Sequence, residues 1–296
     1  MNILITGGTG FIGRALSQAL IAQGHQLTIL SRQPKIDTQA LKFIQNFAHI
    51  KNLDAFDAVI NLAGEPIFAK KWTGIQKSKL RQSRLELTQK LVELCQKSSN
   101  PPHTFLSASA TGYYGNLAQF AKNCTEQTAC GNGFTAQLCQ EWEACALQAQ
   151  NKKTRVCLLR TGIVLDTAGG ALKQMLALYR LGLGGKLGHG KQHWAWISLE
   201  DHIQAMLFLL ENPDAQGAFN FVAPQSIRNT DFNCLLAKAI HRPAFFSVPA
   251  FVLKLILGER SQLLLDNQPL VPHHLTQLGF KFKFNNLEQW LASCFK

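Results

Sequence analysis

The sequence of 296 residues is poor in acidic side chains, in tyrosine and in methionine. It has 18 Asp and Glu against 30 Lys and Arg, and only three tyrosines. No apolar run is long enough to cross a bilayer, no repeat of fixed period occurs, and the opening MNILITGG has neither the basic flank nor the apolar length of a signal peptide. These absences predict a cytoplasmic globular chain without a membrane partner.

The eight cysteines are scattered along the chain, with no CxxC pair and no cluster of histidine and cysteine at metal-ligand spacing. We therefore predict reduced and mostly buried thiols, and no metal site.

The net charge of +12 raises the question of nucleic acid. A nucleic-acid binder is expected to cluster Lys and Arg and to interleave them with aromatic residues. The clusters here are short: AKKW at 69–72, QKSKLRQSR at 76–84 and NKKTR at 151–155. Solvated helix faces and an anionic cofactor explain such clusters better. We predict no nucleic-acid partner, and a nucleic-acid binder is the weakest of three function classes.

Short apolar runs rich in β-forming residues alternate with segments of helical period through the first half of the chain. This alternation predicts βαβ units and a parallel sheet covered by helices on both faces. The fold class is therefore α/β, a Rossmann-type doubly wound parallel sheet with a smaller C-terminal α+β lobe. We assign residues 1–165 to the Rossmann domain and 166–296 to the smaller lobe, with 196–222 returning to the sheet. The run RVCLLRTGIVL at 155–165 is interpreted as one strand.

A glycine-rich loop, GGTGFIG at residues 7–13, follows the first predicted strand and opens an amphipathic helix. Glycines in this context allow a tight turn, a close approach of backbone N–H groups to a pyrophosphate and close packing of helix on strand. The loop predicts a dinucleotide-binding site.

The end of the second predicted strand selects the cofactor. An acidic residue there accepts hydrogen bonds from the ribose of NAD, whereas an arginine accommodates the 2′-phosphate of NADP. This chain has no Asp or Glu before Asp37, and the strand QLTIL ends in Ser31 and Arg32. A guanidinium grips a phosphate that a carboxylate would repel, so the sequence favours NADP(H).

Three further motifs carry a family resemblance: NLAGEP at 61–66, SATGYYG at 109–115 and LRTGIVL at 159–165. Together with the glycine loop, they make the chain resemble the extended and atypical short-chain dehydrogenase/reductases, and more narrowly the "epimerase family" proteins. The resemblance runs nearly end to end. It implies an NADP(H)-binding oxidoreductase or epimerase, and it leaves the substrate undefined.

The resemblance also implies a set of cofactor contacts. The phosphates would lie on Gly7, Gly8, Thr9, Gly10, Phe11, Ile12 and Gly13. Ser31 and Arg32 would hold the adenosine phosphate, Leu62 and Ala63 would line the adenosine side, and Arg84 and Arg160 match further cofactor contacts. Because Arg160 stands in an apolar run, it needs an anion or hydrogen bonds, and a structural ion pair would serve as well.

The superfamily's catalytic tyrosine and lysine are missing. Ordinary members carry YxxxK, in which the lysine lowers the pKa of the tyrosine. The residues four positions after the three tyrosines are Leu117, Ala118 and Leu183. Where the motif belongs, the chain has Phe134 and Leu138.

Ser109 matches the serine of the superfamily, and Tyr113 and Tyr114 follow it closely. One of these phenols could supply the proton from another direction, or both could be packing residues. Glu141 and Glu143 are alternative bases, although a solvated helix face is the simpler interpretation. His193 is a further alternative contact to substrate.

The leading hypothesis is hydride transfer between NADP(H) and an unidentified small molecule, in a monomer or homodimer. The alternative is a catalytically quiet NADP(H)-binding protein with a redox-sensing or regulatory role, for example one linked to cell division.

Overall fold

The computed structural model describes residues 1–118 and 123–295. Its strands are β1 (Asn2–Thr6), β2 (Gln26–Leu30), β3 (Leu41–Ile44), β4 (Ala58–Asn61), β5 (Thr104–Ala110), β6 (Arg155–Thr161), β7 (Ile163–Leu165), β8 (Gly185–Leu187), β9 (His193–Trp194), β10 (Trp196–Ser198), β11 (Gly217–Phe221), β12 (Ile227–Arg228) and β13 (Phe246–Val248). Its helices are α1 (Phe11–Ala22), α2 (Gly74–Gln96), α3 (Phe134–Leu147), α4 (Gly170–Arg180), α5 (Leu199–Glu211), α6 (Asn229–Ala239), α7 (Ala250–Leu257), α8 (Gln262–Leu265), α9 (His273–Gln277) and α10 (Leu287–Cys294). Single 3₁₀ turns occupy Thr111–Tyr114 and Gly258–Ser261.

A seven-stranded parallel sheet forms the centre of the molecule, in the order β11-β6-β5-β4-β1-β2-β3. The strand order reverses between β1 and β4, and ligands of doubly wound sheets bind at such a point, beyond the carboxyl ends of the strands. The predicted Rossmann-type α/β fold class is confirmed.

Helices cover both faces of the sheet, as the alternation of side chains along a strand requires. Ile3 and Ile5 of β1 face a cluster that includes residues of α1 and α5. Leu4, between them, faces the opposite cluster with residues of α2 and α3. Burial on both faces explains why the central strands consist of continuous apolar residues.

The run 155–165 is two strands, and the interpretation as one strand was wrong. The break falls at Gly162, where a Cβ would lie 2.5 Å from the carbonyl oxygen of Ala195. The next residue, Ile163, donates its N–H to that same carbonyl, and β7 pairs with β10 instead of continuing in the sheet. The close approach of two backbones therefore diverts the chain into the C-terminal lobe.

The C-terminal lobe has a core of its own. It gathers Leu172, Tyr179, Trp194, Phe232 and Trp290 from three helices and a short strand. Two-stranded sheets join β10 to β7, β12 to β9 and β13 to β8. Between these pieces, α5 packs against α1, and β11 lies at the edge of the main sheet. The division at residue 165 stays a prediction.

No helix within residues 1–118 and 123–295 has the length and apolar character that crossing a membrane needs.

Candidate functional site

A cavity of about 680 Å³ lies at the carboxyl ends of β1, β4, β5 and β6 and reaches into the C-terminal lobe. Eight residues that the sequence assigned to the site line it: Gly7, Gly10, Phe11, Ile12, Gly13, Leu62, Arg84 and Ser109. The predicted cofactor loop and the predicted catalytic serine therefore share one space.

The glycine loop needs its glycines for three separate reasons. Gly7 has a φ of +71°, and a Cβ there would lie 2.8 Å from the backbone of Leu62 and Ala63. At Gly13 a Cβ would meet the carbonyl oxygen of Gly7 at 2.2 Å. Gly10 has an extended backbone, and a Cβ there would lie 3.2 Å from the carbonyl oxygen of Gly7, a tight contact that needs a shift of a few tenths of an ångström. Gly10 opens α1 and faces the cavity, as a phosphate-binding residue should.

Ser31 and Arg32 lie at the carboxyl end of β2, the neighbour of β1. The buried Ser31 donates its hydroxyl to the carbonyl of Gln33, which fixes the turn. Arg32 is exposed, and among the described residues its guanidinium has neither an ion pair nor a hydrogen bond. The arginine is thus free to meet an anion at this edge of the site.

Arg84 is a partly buried cation that faces the cavity from α2. Its guanidinium donates to two backbone carbonyls, those of Leu80 at 3.0 Å and Glu65 at 3.1 Å, and lies 5.2 Å from the ring centre of Trp142. Within the described chain no carboxylate pairs with it, and burial lowers its pKa below the ordinary arginine value. An anion in the cavity would supply the missing countercharge.

Arg160 has a protein partner. Its Nε and Nη2 donate to the two carboxylate oxygens of Glu143 at 2.9 and 2.8 Å, and its Nη1 donates to the Tyr114 hydroxyl and the Glu126 carbonyl. Burial lowers the pKa of Arg160, but the hydrogen bonds and charges of Glu143 and Tyr114 together outweigh it, and the pKa rises. The ion pair satisfies Arg160 without a cofactor, so its role as a cofactor contact stays a prediction.

The expectation that Glu143 lies on a solvated helix face was wrong, because this side chain is buried beneath the cavity. Glu141 does lie at the surface, paired with Arg81. Helical periodicity carried the signal: Cys139, Trp142 and Ala146 mark the buried stripe of α3, and Glu143 falls within it.

The hydroxyl cluster, which consists of Ser109, Tyr113 and Tyr114, lies partly at the cavity and partly in the core. Ser109 lines the cavity and donates to Glu143 at 2.6 Å. Tyr114 is fully buried and donates to the side chain of Asn220 at 2.6 Å, and burial raises its pKa. The ring of Tyr113 lies 3.5 Å from the Arg160 guanidinium, and burial raises the pKa of this phenol too. These contacts favour the packing interpretation for both tyrosines.

The positions of the missing tyrosine and lysine are apolar in space as well. Leu138 lines the cavity, and the Phe134 ring packs edge-on against Trp72. No lysine lines the cavity in the part of the chain that the structure describes.

Several polar residues of the cavity, among them Asp266, His202 and Gln268, were not singled out by sequence analysis. Burial raises the pKa of Asp266 to about 6, while it lowers the pKa of the fully buried His202 to about 3. His193 also lines the cavity, and its Nδ1 lies 2.9 Å from the side-chain oxygen of Asn267.

A parallel sheet with a glycine turn beside its switch point, and a cavity over the carboxyl ends of its strands, defines the class of Rossmann-type dinucleotide-binding proteins. The chain belongs to the NAD dependent epimerase/dehydratase family, whose model matches residues 3–222. A domain of unknown function, DUF1731, matches residues 248–294.

Similar proteins span nearly the whole chain. An "Epimerase family protein" of Staphylococcus aureus (strain MRSA252) is 38% identical over 292 residues, which cover 97% of each chain. An "Epimerase family protein" of Mycobacterium leprae is 36% identical over 294 residues, covering 98% of this chain and 94% of the relative. The crystal structure of human epimerase family protein SDR39U1, solved with NADPH, superposes with a TM-score of 0.91 at 34% identity, covering 99% of this chain and 98% of the human one.

Proposed function

We propose that the chain binds NADP(H) at the carboxyl ends of the sheet and transfers a hydride between the cofactor and an unidentified small molecule. The observation that carries this proposal is the continuous cavity, which extends from Gly7 past Ser109 to Asp266. The glycine turn offers backbone N–H groups to a diphosphate, and Arg84 offers an uncompensated charge. The far end of the cavity lies in the C-terminal lobe and supplies room for a substrate.

The preference for NADP(H) over NAD(H) rests on Arg32. It stands at the end of β2, where dinucleotide-binding folds recognise the adenosine ribose, and its guanidinium is unpaired in the described structure. The human relative solved with NADPH supports the same choice.

The substrate end of the cavity is mainly apolar. Ile67, Phe68, Leu138, Met175 and Trp194 line it. The family resemblance places the arginine of nucleotide-sugar enzymes in the region 192–194, which here begins with Gln192, a buried residue that donates to backbone carbonyls. This lining supports a compact, largely uncharged substrate over a sugar nucleotide, whose diphosphate would need a second cation.

Bound NADP(H) would supply or accept the hydride, and the chain must handle the proton. Ser109 touches the cavity and directs its own proton to Glu143, which leaves its oxygen lone pairs free. Asp266 has a pKa near neutrality and can hold or release a proton at its carboxyl oxygen. A phenol from Tyr113 or Tyr114 remains the other proposed proton donor, and either one would first have to leave Arg160.

The second candidate function is a catalytically quiet NADP(H)-binding protein. The absence of the tyrosine and lysine favours it, because Phe134 and Leu138 carry no proton and no charge. In that case the cofactor would stabilise the fold or report the redox state of the cell.

Two measurements separate these functions. Mass spectrometry of ligands that copurify with the untagged chain would identify the cofactor, and oxidation of NADPH would then be followed over a panel of small apolar carbonyl compounds. We expect turnover of at least one compound. Copurification of NADP(H) without any turnover would favour the quiet protein, and no bound dinucleotide would contradict both functions.

Three variants test the proton path on whichever compound reacts. Ser109→Ala, Tyr113→Phe and Tyr114→Phe should keep NADPH affinity, and at least one should lower turnover by roughly 100-fold, the usual scale of lost acid/base catalysis. If all three react at the wild-type rate, the hydroxyl cluster is structural, and Asp266→Asn becomes the variant to measure.

A further inference from the structure

Three potential metal ligands meet outside the cavity. Glu126 comes from the segment before α3, and His273 and His274 are the first two residues of α9. One ligand atom from each lies within 4.8 Å of the other two. None of the three lines the cavity, so this cluster is separate from the proposed cofactor site.

Glu126 presents a buried carboxylate of which only one oxygen is used. Its Oε1 accepts the backbone N–H of Asn220 at 2.9 Å and of His274 at 3.2 Å. Its Oε2 is buried and has no hydrogen-bond partner. A buried carboxylate oxygen without a partner destabilises the folded chain. A cation or a proton donor beside it would remove this free-energy penalty.

The two histidines complement this oxygen. Nδ1 of His274 lies 2.8 Å from the carbonyl oxygen of Ala218, which can only accept, so Nδ1 carries the proton and Nε2 carries the lone pair. Histidines that bind metals are oriented in this way, with the second nitrogen bonded to a carbonyl or carboxylate. His273 adds a buried Nδ1 without a hydrogen-bond partner.

We propose that Glu126, His273 and His274 bind a divalent transition-metal ion of the zinc class. The ligands would be Oε2 of Glu126, Nδ1 of His273 and Nε2 of His274. Two imidazoles and one carboxylate suit Zn²⁺, which takes nitrogen and oxygen ligands in tetrahedral geometry and leaves a fourth position for water. Within the described residues Glu126 forms no ion pair with either histidine at 4.0 Å or less, so a direct proton-sharing pair does not already account for the cluster.

The metal would hold the segment 270–274, which includes the start of α9, against the sheet. Cys124 and Leu270 already form a β-bridge beside the cluster, and Asn220 on β11 joins Glu126 to the Tyr114 hydroxyl. From Tyr114 the hydrogen bonds continue through Arg160 and Glu143 to Ser109 in the cavity. The ion would therefore tie α9 to β11, and the chain of hydrogen bonds links it to the wall of the cavity.

The test measures metal binding by the untagged full chain after treatment with a chelator. Equilibrium dialysis with Zn²⁺ and absorption spectra with Co²⁺ should show one ion per chain, bound in a nitrogen and oxygen environment without thiolate charge-transfer bands. Glu126→Gln and His273→Asn should each weaken binding by roughly 100-fold or more. The exposed His49 offers a matched control, since His49→Asn should leave the affinity unchanged.

Thermal unfolding of the wild-type chain with and without Zn²⁺ is a second measurement that requires no variant to fold. A site formed only in the folded chain should raise the unfolding temperature as Zn²⁺ increases. The proposal is overturned if the wild type binds no ion, if its stability does not respond to Zn²⁺, or if both site variants bind as tightly as the wild type. Binding lost only in Cys234→Ser or Cys294→Ser, the two exposed thiols, would also overturn it.

Discussion

Arg84 and Arg160 are two cations beside the same cavity, but only one of them has a carboxylate partner. Arg160 is matched by Glu143, whereas Arg84 donates only to carbonyls. Arg84→Met should therefore leave the free chain as stable as before, or more stable, and weaken NADPH binding at least 10-fold. Arg160→Met should leave the buried Glu143 without a countercharge and lower the free energy of unfolding by about 3–5 kcal/mol.

Chemical denaturation and calorimetric titration of both variants measure these effects. Equal NADPH affinity of Arg84→Met and the wild type would mean that this charge does not face the cofactor.

Arg32 should decide between the two cofactors. A guanidinium beside a 2′-phosphate makes charge-assisted hydrogen bonds, so NADPH should bind better than NADH by about 1–3 kcal/mol. Arg32→Asp should reverse the preference, whereas Lys35→Asp, which changes another exposed charge of the same loop, should alter it less. Calorimetric titration with each cofactor gives the comparison, and equal affinities in the wild type would contradict the prediction.

Asp266 should make stability depend on pH in the acid range. Its folded pKa of about 6 lies above the ordinary 3.8, so the folded state holds the proton more tightly than the unfolded state does. Its contribution to the free energy of unfolding is therefore present below about pH 4 and is lost as the pH rises through about 6. Asp266→Asn should remove this component, and Asp214→Asn, at an exposed carboxylate, should keep it.

Urea unfolding at a series of pH values measures how the free energy of unfolding changes with pH. If the free energy of unfolding changes with pH in the same way in Asp266→Asn and in the wild type, the carboxyl group is better solvated than the cavity geometry implies.

At the scale of elements, the turn between β1 and α1 allows a clean separation of folding from binding. Gly10 has an extended backbone, and its tightest Cβ contact, 3.2 Å to the Gly7 carbonyl oxygen, needs a shift of only a few tenths of an ångström, so Gly10→Val should fold. The new side chain would stand where the pyrophosphate approaches, and NADPH binding should be abolished. Gly74→Val is the matched control: Gly74 opens α2, and no heavy atom lies within 4 Å of a Cβ placed there.

Circular dichroism and calorimetric titration check both glycine variants. A folded Gly10→Val chain with normal NADPH affinity would mean that the loop is only a turn and does not bind the pyrophosphate.

The same scale shows what a sequence can and cannot predict. β1, β2, β4 and β5 are short runs of mainly apolar and small residues that alternate with helical segments, so their place in a parallel sheet could be predicted. β3 is harder to predict, because its four residues, LKFI, include a lysine and are exposed or only partly buried. The break at Gly162 could not be foreseen, because its cause, the carbonyl of Ala195, lies more than thirty residues away in the sequence.

The candidate site divides in the same way. The glycine turn, Arg32 and Ser109 carry local motifs, so their positions could be predicted. The partner of Arg160 and the position of Asp266 depend on contacts between remote segments. Helical period could have placed Glu143 on the buried face, against the expectation of a solvated one, but only the three-dimensional structure pairs it with Arg160.

For the whole molecule, the excess of positive charge should not produce binding to nucleic acid. Several basic side chains are paired with carboxylates: Lys77 with Glu259, Arg81 with Glu141 and Lys283 with Glu200. The basic clusters of the sequence at 69–72, 76–84 and 151–155 contain one aromatic residue, Trp72, whereas a groove for single strands interleaves several aromatic residues with basic ones. Fluorescence anisotropy with a labelled oligonucleotide should show only weak binding that vanishes near physiological salt. Tight binding that survives such salt would contradict this prediction.

The position of β11 has a consequence for synthesis on the ribosome. Arg160 on β6 is flanked by Ser109 on β5 and by Asn220 on β11, so β6 becomes an interior strand only when residues 217–221 pair with it. Until then a nascent chain presents the open edge of β6 along Leu158 and Leu159, two residues destined for the core. Exposed edges and apolar residues of this kind recruit other incomplete chains. Chains stalled before residue 217 should therefore depend on chaperones, while chains released after residue 221 should become far less dependent on them.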